Sequence, residues 1–225
     1  IVSAIEQGRI IYNNIRKFVY YLISCNMAEI MIIFLAMLIE GRSPLTAIQL
    51  LWLNLLTDGA PALALATEKG DPDTMQQPPR PKREPIINRF MTRGIIVQTV
   101  AITSVVLAAF FIGLKGDPEH YEFAETMAFV TLSLSELLRA YTARSEYFPV
   151  LKIGMFKNKW MNLGVLASFL LVMVVVYVPF FNNVFNTMPL GWEQWLEIIP
   201  LLIIPSLAAE ITKFLWSPAR KAKQA

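Results

Sequence analysis

Six stretches of this sequence stay apolar over the ~20 residues of helix that a bilayer crossing needs. They run over 18–39, 45–66, 92–114, 124–143, 160–181 and 193–216. Hydrocarbon offers no partner to a backbone N–H or C=O, so each spanning segment must satisfy its own groups internally. The expected fold is therefore an all-α membrane protein with six transmembrane helices. The composition agrees, with 55% hydrophobic and only 16% charged residues. The fourth stretch is the most interrupted, by Ser133, Ser135, Glu136 and Arg139. Cys25 is the single cysteine, which excludes an internal disulfide and a cysteine metal cluster. The chain opens without Met on "IVSAIEQGRIIYNNIRKF", a helix-compatible run rich in polar residues, and is expected to be a portion of a longer protein.

Lysine and arginine set the orientation. One side carries Arg9, Arg16 and Lys17, then Arg80, Lys82, Arg83 and Arg89, then Arg144, Lys152, Lys157 and Lys159, and finally Arg220, Lys221 and Lys223. The other side has little beyond Arg42 and Lys115, and includes the acidic "GDPEHYE". Both termini are thus expected in the cytoplasm, as an even number of spans requires. The expected organisation is a cytosolic stalk helix at 1–17, two transmembrane helices at 18–66, a cytosolic loop at 67–91, four further transmembrane helices at 92–216 and a cytosolic tail at 217–225. Proline-rich "KGDPDTMQQPPRPKREPIINRF" reads as an ordered, extended aqueous loop.

Carboxylates inside a membrane cost several kcal/mol unless paired, protonated or bound to a cation. Glu29 lies in "SCNMAEI", with Asn26 three residues earlier on the same helical face. Asp58 lies in "LWLNLLTDGAPALALATE", four residues after Asn54 and one after Thr57. Glu136 lies in "TLSLSELLRAYT". At ~1.5 Å of rise per helical residue, Glu29 comes out roughly 15–18 Å deep, Asp58 roughly 20 Å and Glu136 roughly 18 Å, about one level on three helices. Oxygen donors of these kinds suit a hard cation such as Ca²⁺. Softer metals call for Cys or His, but Cys25 reads as pointing away from Asn26, and His120 lies in an external loop. Gly59 and Pro61 are expected to break the second helix near Asp58, freeing carbonyl oxygens to line a buried site. Blander roles remain open residue by residue. Asn26 and Asn54 suit interhelical hydrogen bonds, Thr57 suits a bond back to its own helix, and Ser133 and Ser135 suit packing. Arg139, one turn from Glu136, suits a structural salt bridge.

These motifs carry a resemblance. "LLWLNLLTDGAPALAL" resembles the sixth membrane helix of type II P-type ATPases, most closely calcium pumps of the sarco/endoplasmic reticulum type and their bacterial relatives. "EQGRIIYNNIRKFVYYLISCNMAEI" is similar to their stalk and fifth helix, "DPDTMQQPPRPKREPII" to the loop between helices six and seven, and "SLAAEITKF" to the tenth helix. The resemblance covers essentially the whole chain and implies helices five to ten. It places calcium ligands at Asn26, Glu29, Asn54, Thr57, Asp58 and Glu136. The family's first site uses Asn26, Glu29, Thr57, Asp58 and Glu136; its second shares Asn54 and Asp58 with helix four, which has no counterpart here. Nor does "DKTGT", the phosphorylation motif. Glu29 separates this sequence from plasma-membrane-type calcium pumps, and sodium/potassium pumps read differently around helix six. Retention of all six positions favours two calcium sites over one.

The resemblance implies a part of an ATP-driven pump exporting Ca²⁺ from the cytosol, with protons returning on Glu29 and Glu136. Mg²⁺ and ATP would act only through domains outside this chain, so no catalytic residue is expected here. The expected partners are the pump's first four helices, its cytosolic domains and membrane lipid, without nucleic acid. Stalk and loop would pass on the motion of the phosphorylated domain. Asp71 and Asp73 read either as a transient cation stop or as solvated turn acids. Short external loops and the tail "RKAKQA" favour a bacterial plasma membrane over endoplasmic reticulum. Two other readings stay open: a pump for Mn²⁺ or Na⁺, and a non-catalytic six-helix channel or scaffold.

Overall fold

A computed structural model describes residues 1–71, 73–76, 85–115 and 120–216. The basic residues Arg80, Lys82, Arg83, Arg220, Lys221 and Lys223, the "GDPE" run and the tail expected at 217–225 lie outside the described residues. Within them the chain is helical, with no strand. Helix α1 runs unbroken over Val2–Glu40, so the residues expected as stalk and first span share one helix. Gly41 stops it in the left-handed conformation (φ 69°), donating its N–H back to Met37 O.

The second span starts at a capping box. Thr46 accepts from Gln49 N, while the Gln49 side chain accepts from Thr46 N. Helix α2 (Ala47–Trp52) then widens into a π-helical turn over Leu53–Thr57, and α3 (Gly59–Ala66) continues beyond Asp58. The expected break is therefore a bulge, and α2 to α3 form one 20-residue span. Helix α4 follows over Arg89–Leu114, capped by Asn88. Helices α5 (Tyr121–Ala143), α6 (Val150–Ile153), α7 (Lys159–Tyr177), α8 (Pro179–Phe185) and α9 (Trp192–Trp216) complete the order. The stretch expected as one helix over 160–181 ends at Tyr177 instead. Val178 is extended (φ −91°, ψ 118°) because it precedes Pro179, whose ring disfavours the helical conformation there.

Among the described residues, five helices are long and apolar enough to cross a membrane: α1, α2 to α3, α4, α7 and α9. Their outer faces expose the apolar side chains of Ile30, Phe34, Leu38, Leu55, Leu63, Leu170, Ile203 and Leu207. Helix α5 is as long but less apolar. It packs against α4, α9, α7 and α1, and its residues 124–137 are all buried. Facing protein on every side, it carries Thr126, Thr131, Ser133, Ser135, Glu136 and Arg139 in the interior.

Candidate cation site

The π turn sets the site. Asp58 N donates to Leu53 O at 2.9 Å, five residues back, so one extra residue is inserted into the turn. Thr57 and Asp58 both point inward, and each is fully buried. Pro61 has no N–H to give the preceding turn, which would orphan a carbonyl. Ser168 on α7 supplies the missing donor: its Oγ lies 3.0 Å from Thr57 O and 3.3 Å from Leu56 O. The carbonyl of Asp58 accepts from Ala62 N at 2.9 Å. The carbonyls expected to be free as ligands are thus engaged, a correction that follows from the bulge replacing the break.

Side chains of three helices meet at Asp58. Tyr21 on α1 donates its hydroxyl to Asp58 Oδ1 at 2.8 Å. Asp58 Oδ2 and both carboxylate oxygens of Glu136 on α5 are buried without a hydrogen-bond partner, as is Thr57 Oγ1. Cys25 Sγ, an Asp58 oxygen and a Glu136 oxygen all lie within 4.8 Å of one another. The reading of Cys25 as turned away is therefore corrected. Positions 21, 25 and 29 are four apart, and each step of four keeps to nearly the same face of α1. Tyr21 and Cys25 are the residues sequence reasoning missed, and that spacing from Glu29 was the available signal.

Glu29 and Asn54 form a second group. Asn54 Nδ2 lies 2.9 Å from each Glu29 carboxylate oxygen and donates to Leu50 O at 3.1 Å. Glu29 is buried, whereas Asn54 is exposed on the surface of the bundle. Asn26 is not brought in by hydrogen bonding: its Nδ2 donates to Leu22 O at 2.8 Å, within its own helix. Thr57 makes no bond back to its helix. Ser133 does, to Phe129 O at 2.7 Å, while Ser135 Oγ is buried and unpartnered.

Arg139 does not pair with Glu136. Its guanidinium stacks over the Tyr20 ring, 4.5 Å from the centroid, and donates to Thr142 Oγ1 at 2.9 Å. Tyr20 is itself fixed against Gly94, where an added Cβ would strike the tyrosine hydroxyl oxygen.

Beyond the spans, a buried ionic shell ties α1, α3, α5 and α7 together. Arg144 grips Glu68 through Nε at 2.7 Å and Nη2 at 3.0 Å, and Asn158 Nδ2 adds a third bond at 2.8 Å. Burial pushes the Glu68 carboxyl up, but those donors outweigh it and hold the group below its ordinary value. Asn14 donates to the main-chain oxygens of Glu68 and Ala66, and Arg16 pairs with Glu146 at 3.1 Å. Asp71 is no solvated turn acid: it meets Lys17 at 3.3 Å, its side chain 9% exposed. Burial pushes its carboxyl above the ordinary value, and Lys17 offsets only part of that.

A sequence model of the family "Cation transporting ATPase, C-terminus" matches residues 42–215. The chain belongs to this family. This ATPase C-terminal region is 37% identical over 206 residues to a calcium-transporting ATPase of Bacillus subtilis, an overlap covering 92% of this chain and 23% of the relative. It is 37% identical over 228 residues to calcium-transporting ATPase 1 of Bacillus cereus, covering 95% and 26%. With calcium-transporting ATPase type 2C member 1 of Bos taurus it shares 34% identity over 213 residues, covering 95% and 22%. The ATPase region thus spans about a quarter of the length of these curated relatives, as the C-terminal membrane part of a P-type ATPase.

Proposed function

We propose that this chain is the cation-binding membrane part of an ATP-driven pump that exports Ca²⁺ from the cytosol. One observation carries the reading: Asp58 and Glu136, from different spans, face each other fully buried with three carboxylate oxygens unpartnered. Such a pair is tolerated in a membrane only if a cation or protons neutralise it. Six crossings, counting α5 as the fourth, put both ends on the cytosolic side. Asp58, Thr57, Glu136 and Glu29, with Asn26, bind Ca²⁺ through oxygen, and Asn54 serves a second ion. That second site needs donors from outside this chain, which fits the exposure of Asn54 at the bundle surface. The pump's remaining helices pack there, and its cytosolic domains supply ATP and Mg²⁺ chemistry.

Phosphorylation elsewhere in the pump tilts α1 and α2 to α3 against α5 and spoils the coordination. Protons then replace Ca²⁺ on Glu29 and Glu136, neutralising carboxylates that would otherwise sit unpaired in low dielectric. The host is a bacterial plasma membrane, in keeping with the two Bacillus relatives. Family membership disfavours a standalone channel or scaffold. Mn²⁺ or Na⁺ as cargo is tested by which ion stimulates ATP hydrolysis. The deciding measurement is occlusion of radiolabelled Ca²⁺ by the full-length pump. Asp58→Asn and Glu136→Gln are each expected to abolish it, and occlusion left intact in both overturns the assignment.

A further inference from the structure

Ca²⁺ has little use for sulfur, being a hard ion that takes six to eight oxygens. Yet Cys25 places a thiol against the two carboxylates at the centre of the bundle, and all three side chains are fully buried. Neither Asp58 Oδ2 nor either oxygen of Glu136 has a hydrogen-bond partner, so carboxylate oxygens are left available around the sulfur. Tyr21 holds the other Asp58 oxygen at 2.8 Å and limits rotation of that carboxylate.

We propose that Cys25, Asp58 and Glu136 form a binding site for a thiophilic divalent cation of the Zn²⁺ and Cd²⁺ class, which competes with Ca²⁺ for the transport site. The inference rests on Asp58 and Glu136 being the transport carboxylates. Three donors sharing one tetrahedral ion, at ~2.3 Å to sulfur and ~2.0–2.2 Å to oxygen, stand about 3.3–3.7 Å apart. The observed donors lie within 4.8 Å of one another, so closing on the ion takes side-chain movements of roughly 1 Å at most. One thiolate and two carboxylates make a mixed set on which a soft ion gains a bond that Ca²⁺ does not. Coordination replaces the S–H bond by a sulfur–metal bond, and the thiol proton leaves as the metal enters. The bound metal occupies both carboxylates that the hard cation needs, so it inhibits transport while it stays.

The test uses the purified full-length pump with Cd²⁺ as probe, comparing wild type with Cys25→Ser and Cys25→Ala. Cd²⁺ binding is followed by the sulfur-to-cadmium charge-transfer band in the ultraviolet, and competition by the Cd²⁺ needed to halve Ca²⁺ occlusion in each protein. Both variants are expected to lose the part of the band due to this site. The half-inhibiting Cd²⁺ should rise by at least the roughly tenfold lost when even an outer partner of a metal ligand is removed. A band and an inhibition equal in all three proteins overturn the inference while leaving the Ca²⁺ reading standing. A Cys25-dependent band in a pump that occludes no Ca²⁺ retains the metal site and removes the Ca²⁺ reading. Should one variant fail to fold, the other carries the comparison, since serine keeps the size of the side chain and alanine removes its polarity.

Discussion

Tyr21 donates its phenolic proton to Asp58 Oδ1 across 2.8 Å, and Oδ2 is left as the unpartnered oxygen of that carboxylate. The bond joins α1 to the π turn of the second span. It therefore fixes both the height of Asp58 and the direction in which Oδ2 faces Glu136.

Removing that hydroxyl is expected to weaken Ca²⁺ binding without abolishing it. Hydrogen bonds to charged groups contribute about 1.5–3 kcal/mol net, so Tyr21→Phe should lower the apparent Ca²⁺ affinity of the full pump by about tenfold or more. The Ca²⁺ dependence of ATP hydrolysis measures it. A variant with unchanged affinity would show that Tyr21 positions nothing.

Much of this centre was legible in the sequence because charge is conspicuous in hydrocarbon. Glu29, Asp58 and Glu136 stood out singly, and counting rise per residue brought them to one level. Counting gives height and not direction around the helix, which is why Cys25 was placed wrongly although it lies one turn from Glu29. Tyr21 escaped notice because tyrosine is ordinary in a membrane helix until its partner is known. Asn26 shows the other limit: its amide nitrogen bonds back to Leu22 O in its own helix, and sequence cannot say which way an amide turns. The bulge at Leu53–Thr57 was misread as a break because Pro61 announces a missing donor, while Ser168, which replaces it, lies 107 residues further on. Helix α5 stood out least among the six stretches, since its polar residues face the interior of the bundle.

The shell around Arg144 and Glu68 should make the region acid-sensitive in a defined window. The Glu68 carboxyl is held below its ordinary value in the folded protein. Its contribution is therefore full above the unfolded value of about 4.3 and is lost as pH falls through the lower folded value. Thermal stability of the solubilised pump, followed from pH 7 downwards, should fall more steeply in wild type than in Glu68→Gln. At neutral pH, Arg144→Ala strands a buried carboxylate and should cost about 3–5 kcal/mol.

Tyr20 is packed between Gly94 and the Arg139 guanidinium. Gly94→Ala should destabilise by about 1–3 kcal/mol, as overpacked cores do. Tyr20→Phe removes the oxygen that the new Cβ would strike but keeps the ring face under Arg139. In the double variant the loss should be partly recovered, a non-additivity that thermal unfolding of the four proteins reads directly. Additive losses would place the conflict elsewhere.

Ser168 and Pro61 test whether the bulge is held as described. With Pro61 in place, Ser168→Ala leaves the carbonyls of Leu56 and Thr57 without the side-chain donor seen at 3.3 and 3.0 Å. An unsatisfied buried carbonyl costs about 1–3 kcal/mol, and here the strain falls on the turn that carries Thr57 and Asp58. Stability and Ca²⁺ affinity should therefore fall together in Ser168→Ala. Pro61→Ala restores a backbone N–H that can take over one of those carbonyls, so Ser168→Ala should cost much less in that background. If the serine deletion costs the same with and without the proline, the hydroxyl is packing against α3 rather than replacing its missing donor.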